Sequence, residues 1–375
     1  MIEIEGEKHL SQQVHTYLAN AYHQKGAPLS FSEWMSGALY APNLGYYHNA
    51  KSKFGPQGDF MTAPNFSPLF GQCLAEQLQA ILCELPVTNI LEIGPGNGTL
   101  AKTIMETLTE LGQPVNTYYL LETSPSLKSC QNQLLAPISN QTKIPCQWVT
   151  EVPENFIGVI LANEVIDALP AERFCFADTN HYQGIILQND AWHWEKTSVP
   201  IHHQEAFATL IKNNPQCLSH TPYISEYRPN LAGWFNPLCQ RFKQGVMLFI
   251  DYGYHEAEYY HPERRQGTLR CFYHHQQHDN PLWMPGIQDI SVHVDFSAFA
   301  SLATKANLDL LGYCTQANFL INLHILDKFD PQVDSQEILQ KLLHPVEMGE
   351  VVKVMALGRN WSQPLQGFQG RQSML

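Results

Sequence analysis

The chain has 375 residues, enough for one large domain or two modest ones with a sizeable core. Its 44% hydrophobic content is that of an ordinary globular protein, and a formal net charge of -13 argues against a nucleic-acid backbone as partner, because phosphate binding needs a concentrated basic surface. The nine cysteines contain no C-x-x-C pair, the acidic start has no apolar signal-peptide core, and no apolar run approaches the roughly 20 residues of a membrane span, so a zinc site, a disulfide frame, secretion and membrane insertion are not expected and a cytoplasmic protein is.

From residue 10 to about 40 the pattern is helical, with Val14, Leu18 and Tyr22 at four-residue intervals. Residues 67–85 form a second helical stretch, with Leu69, Phe70, Cys73, Leu74, Leu78, Ile81 and Leu82 on one face and Pro86 closing it. Strand and helix signals then alternate, the mark of a parallel sheet covered on both faces. The first strand ends at Ile93, the second at Leu121, a third covers 146–149, a fourth 157–162 and a fifth 246–250. Between the fourth and fifth, short strands around Phe174, 182–187 and 192–194 precede helices near 203–212 and 231–243. Two more strands cover 308–313 and 351–357. The expected organisation is an N-terminal helical extension and lid segment at 1–85, a Rossmann-like α/β core at 86–170 plus 245–360, and an inserted α+β subdomain at 171–244. A long loop at 252–290 and a flexible tail at 361–375 complete it.

Ligands of open α/β sheets sit beyond the carboxyl ends of the strands. Asn89-Ile90-Leu91-Glu92-Ile93 runs into Gly94-Pro95-Gly96-Asn97-Gly98-Thr99, where glycines let the backbone come close to a ligand ahead of a helix N-terminus. A dinucleotide fingerprint needs a glycine where Thr99 stands. With Glu92 just upstream, the turn instead resembles motif I of the class I S-adenosylmethionine (SAM) methyltransferases, which implies a mostly parallel seven-stranded sheet. On that reading Gly94, Gly96, Asn97 and Gly98 cradle the methionine portion and ribose. Glu122 accepts the two ribose hydroxyls, since a carboxylate offers two acceptor oxygens. Trp148 flanks the adenine, and Asn163 or Glu164 holds the methionine ammonium or meets the substrate. Each position has a plainer alternative. The glycine turn also reads as a tight connection, Glu122 as a helix cap, Glu164 and Asp167 as first-turn acids, and Trp148 as core.

Segments beyond this turn resemble the MidA family of SAM methyltransferases. They are Gly58-Asp59-Phe60-Met61-Thr62-Ala63-Pro64-Asn65-Phe66-Ser67-Pro68-Leu69-Phe70-Gly71, Asn163-Glu164-Val165-Ile166-Asp167-Ala168-Leu169-Pro170 and Asp251-Tyr252-Gly253. Gly267-Thr268-Leu269-Arg270, Pro285-Gly286, Asp289, Val294-Asp295-Phe296 and Met348-Gly349-Glu350 with Lys353 follow in the family's order. Asn65 stands where the family usually has Glu, which puts a charged role there in doubt. The resemblance implies methyl transfer from SAM to a protein side chain, with arginine as the expected acceptor. It implies a lid carrying Thr62 and Pro64 at the cofactor, and Glu164, Asp167, Asp59 and Asp251 as the acids that bind and orient a guanidinium. Glu164 and Asp167 rank first because their motif follows the fourth strand. A SAM-binding assembly factor without turnover and an NAD-dependent oxidoreductase are the rival functions. A protein substrate is the expected partner, and the oligomeric state stays open, a homodimer included. His274, His275 and His278 have an i, i+4 pair but no convincing carboxylate, so no metal is expected.

Overall fold

The computed structural model describes residues 2–49, 51, 64, 67–177, 180–219, 221–332 and 334–370. They divide into two compact units, each drawn from three stretches of chain. One takes 1–60, 167–231 and 256–295; the other takes 61–166, 232–255 and 296–375.

The second unit is built on seven strands: β1 (Asn89–Ile93), β2 (Thr117–Leu121), β3 (Cys146–Val149), β4 (Phe156–Asn163), β5 (Phe242–Tyr254), β6 (Asp309–Thr315) and β7 (Val352–Arg359). Their order across the sheet is β6-β7-β5-β4-β1-β2-β3. β1 runs parallel to β2 and β4, β2 to β3, and β4 to β5, whereas β7 is antiparallel to both β5 and β6. This is the mixed α/β fold of the class I methyltransferases. The central strands read as continuous apolar runs because helices cover both faces. The helices Pro68–Leu82 and Thr99–Glu110 pack Phe70, Leu74, Leu78, Ile104 and Leu108 into a core with Val159, Leu161, Leu248 and Ile250. On the opposite face Phe249 meets Phe299 of the Phe296–Lys305 helix with ring centres 4.8 Å apart, as the two-residue period of a strand requires. The Pro68–Leu82 helix starts where it does because Ser67 Oγ accepts the Leu69 N–H at 3.1 Å and Pro68 fills the first position.

Register decides where the strands end together. Ile93 lies opposite Leu121 on one side and Ala162 on the other, and Asn163 lies opposite Ile250. Gly94, Glu122, Glu164 and Asp251, each the next residue along, therefore fall at one edge of the sheet.

The first unit contains the helices Ile2–Lys25 and Phe31–Tyr40 and two antiparallel sheets. The four-stranded sheet has the order Ala191–Thr197, His181–Gln188, Glu172–Phe176, Tyr223–Tyr227; the three-stranded sheet has the order Gln276–His278, Arg270–Tyr273, Asp289–Ser291. Helix periodicity expected to run unbroken from 10 to 40 is interrupted at Gly26, where φ is +64°, and restarts at Ser30, whose side chain forms a capping box with Glu33.

Two sequence expectations are corrected. The 252–290 stretch is no structureless loop, since it carries a short helix (Glu256–Tyr259) and the strands just named. Its sheet is anchored by buried polar groups. Glu226, fully buried, accepts the Thr268 N–H at 2.8 Å and pairs with Arg173 at 3.2 Å. A Cβ on Gly267 would sit 2.3 Å from that carboxylate, which explains the glycine in the Gly267-Thr268 motif. The expected tail from 361 is also ordered as far as residue 370. Leu365 and Phe368 are buried, and the Gly367 N–H reaches Gln77 Oε1 at 2.8 Å.

Candidate active site

The glycine turn is fastened by the Gly94 N–H, which donates to Leu121 O at 3.1 Å. Gly94, Gly96 and Gly98 have φ of +61°, +57° and +88°, in the left-handed region that side chains disfavour. A Cβ on Gly94 would come within 3.0 Å of Val165 Cγ2, so the turn lies against the residues that follow β4. Gly98 caps the Thr99–Glu110 helix without a side-chain bond, and Asn97 Oδ1 accepts the Thr99 N–H at 3.1 Å. The positive helix end is thus directed at the turn, an arrangement suited to a carboxylate.

Glu122 follows β2. Its Oε1 accepts the Ser124 N–H at 2.7 Å and its Oε2 accepts from Gln131 Nε2 at 2.9 Å. The cap of the next helix, Pro125–Thr142, is Ser124 and not Glu122. Gln131 is wholly buried; it also donates to Gly96 O at 2.8 Å and accepts from Trp148 Nε1 at 2.8 Å. Sequence reading missed Gln131 because a helical glutamine carries no signal of its own. Trp148 is half-buried, packs against the core, and joins this network through its indole N–H.

After β4 the chain turns sharply. The Glu164 N–H donates to Ile250 O at 2.8 Å, and Glu164 adopts φ of +52°, costly for a residue with a side chain. Asp251, 1% exposed, holds this turn: its Oδ2 accepts the N–H groups of Val165 at 3.1 Å and Ile166 at 2.7 Å, and its Oδ1 accepts the Tyr252 N–H at 2.8 Å. Expected among the acids that meet substrate, Asp251 instead has both oxygens engaged by backbone and positions its neighbours. Asn163 Nδ2 lies 3.4 Å from Glu164 Oε1, while Asn163 Oδ1 is buried and has no hydrogen-bond partner among the described residues.

Glu92 is 2% exposed and accepts the Tyr118 hydroxyl at 2.7 Å. Burial pushes its carboxyl up to about 7, against a smaller lowering by that hydrogen bond. Pro64 is helical and half-buried; Asp59 and Thr62 lie outside the described residues. Asp167 belongs to the first unit and is 8% exposed. Its carbonyl accepts from Val292 N at 3.0 Å and from Arg228 Nη2 at 2.8 Å. Arg228 also reaches Leu169 O at 3.1 Å and His293 O at 2.8 Å, clamping the backbone that carries Asp167.

S-adenosylmethionine fits the residues present in the second unit. The glycine turn leaves no room for a side chain at Gly94, Glu122 is held at the end of β2, and the orphaned Asn163 oxygen suits a cationic donor such as an ammonium. A family model described as "Putative S-adenosyl-L-methionine-dependent methyltransferase" matches residues 69–314. The class is therefore that of the SAM-dependent methyltransferases. Among solved structures, a COG1565 superfamily member from Burkholderia thailandensis bound to S-adenosyl-homocysteine superposes with a TM-score of 0.91 at 32% identity, over 98% of this chain and 97% of its own. The mitochondrial protein arginine methyltransferase NDUFAF7 of Danio rerio is 30% identical over 364 residues, 86% of this chain and 82% of its own length. Its Homo sapiens counterpart is 27% identical over 379 residues, 88% of this chain and 80% of its own. The chain belongs to the MidA (COG1565) family of SAM-dependent methyltransferases. No helix among the described residues is long and apolar enough to cross a membrane.

Proposed function

We propose that the chain methylates a guanidinium nitrogen of a protein arginine. The observation that carries this reading is Glu164, an acid held in a left-handed backbone conformation beside the cofactor turn by the Asp251 grip on the next two residues. The name shared by the Danio rerio and Homo sapiens relatives, protein arginine methyltransferase, supports the same acceptor. A guanidinium is a planar, charged fork of donors, and a fixed carboxylate can bind it on two nitrogens. SAM supplies a methyl group already activated on a sulfonium. The protein's share is alignment, and stabilisation of the charge and proton on the acceptor nitrogen. Glu164 is the group for that task, Asp167 is the second acid of the same motif, and Asp251 serves by positioning Glu164.

The test is transfer of radiolabelled methyl groups to proteins extracted from cells of the source lacking this protein, followed by mass mapping of the label. Labelled arginine is the expected result, with Glu164→Gln lowering turnover by about 100-fold or more while S-adenosylhomocysteine affinity stays within about 3-fold. Label on another residue type overturns the arginine assignment. Intact cofactor binding with no labelled protein would instead favour an assembly factor without turnover.

A further inference from the structure

Gln131 ties together three segments that the sequence keeps apart. Its amide nitrogen donates both to Gly96 O at 2.8 Å and to Glu122 Oε2 at 2.9 Å, while its oxygen accepts the Trp148 indole N–H at 2.8 Å. The orientation of the amide is forced. A carbonyl and a carboxylate only accept and an indole only donates, so the flipped amide would set like against like at all three points. The side chain is fully buried, which makes each of these bonds expensive to break. With Ser124 N–H on the other oxygen at 2.7 Å, the plane of the Glu122 carboxylate is fixed by protein alone.

We propose that Gln131 is the positioning residue of ribose recognition: it holds Glu122 in the orientation that accepts the cofactor's ribose hydroxyls and locks that carboxylate to the glycine turn. The proposal rests on Glu122 as the ribose acceptor. Preorganisation of this kind raises affinity by removing the cost of ordering the acceptor when ligand arrives. It also makes Gln131 and Glu122 a single unit, so that their effects on ribose binding do not add.

Calorimetry on the full chain, with S-adenosylhomocysteine and an analogue lacking both ribose hydroxyls, tests this in Gln131→Met, Glu122→Gln and the double variant. Gln131→Met should weaken S-adenosylhomocysteine about 10-fold and the analogue less than about 2-fold. The double variant should bind no more than about 2-fold worse than Glu122→Gln alone. Equal losses for the two ligands, losses that multiply, or no loss at all would overturn the proposal, since a merely structural glutamine affects both ligands alike. Glu122→Gln binding S-adenosylhomocysteine like the parent would remove the ribose role of Glu122 itself. Should Gln131→Met not fold, Trp148→Phe removes the indole N–H that anchors Gln131, together with part of the ring. It should weaken S-adenosylhomocysteine about 3-fold more than it weakens the analogue, and the same two patterns decide.

Discussion

Glu92 shows how much a single buried acid asks of this fold. Its carboxyl moves from an ordinary 4.5 to about 7, first because of burial. Between those values the unfolded chain gives up a proton that the folded chain keeps, so stability falls as pH rises through this window and levels off above it. A shift of this size corresponds to a loss of order 3 kcal/mol. Glu92→Gln retains an acceptor for the Tyr118 hydroxyl and removes the ionisation. Its gain in stability over the parent should be near zero at about pH 4 and approach roughly 3 kcal/mol at about pH 8. Urea midpoints at the two pH values measure this, and a gain independent of pH would contradict the account. At this scale the sequence was readable where residue type itself carries chemistry. Glycines on alternate positions and an acid at a strand end stand out as candidates. Gln131 does not, because its partners stand 35, 9 and 17 residues away and meet only when three strands and a helix are in register.

Among elements, the turn after β4 depends most on a neighbour. Asp251 offers two acceptor oxygens to three N–H groups, and Asn in its place would turn one oxygen into a donor facing them. Asp251→Asn should lower kcat by about 100-fold and change S-adenosylhomocysteine affinity by less than about 5-fold. Steady-state kinetics beside calorimetry separates the two, and an unchanged kcat would remove the positioning role. A comparable device closes the last motif, where Lys353, 3% exposed, donates to Glu350 O with its ammonium 5.7 Å from the Tyr254 ring centre. Strands and helices of the second unit were legible because apolar periodicity survives wherever both faces are covered. The 252–290 segment was not. Its strands Arg270–Tyr273 and Gln276–His278 are three or four residues long and rich in polar side chains, so no period can emerge. Nor was the ordered stretch beyond 360, whose Gln and Gly composition conceals the buried Leu365 and Phe368.

The whole molecule interleaves its units, so no cut in the sequence yields either one intact. A chain ending at residue 360 lacks Leu365 and Phe368 and should lose at least roughly 3–5 kcal/mol of stability, the order of removing the buried aromatic alone. A chain ending at residue 351 keeps six of the seven strands, yet β7 is the strand between β5 and β6. Thermal unfolding of that shorter chain should show no cooperative transition; a sharp one would mean that β5 and β6 can do without their shared neighbour. Strand order therefore bears on how the protein is made. The ribosome finishes β4 at residue 163, but its partner β5 begins only at 242 and the strand that completes the sheet begins at 352. Between those points the nascent chain carries an unpaired sheet edge, a surface prone to wrong pairing. Copies terminated before residue 352 consequently lack the strand that joins β5 to β6 in the sheet from which the cofactor turn extends.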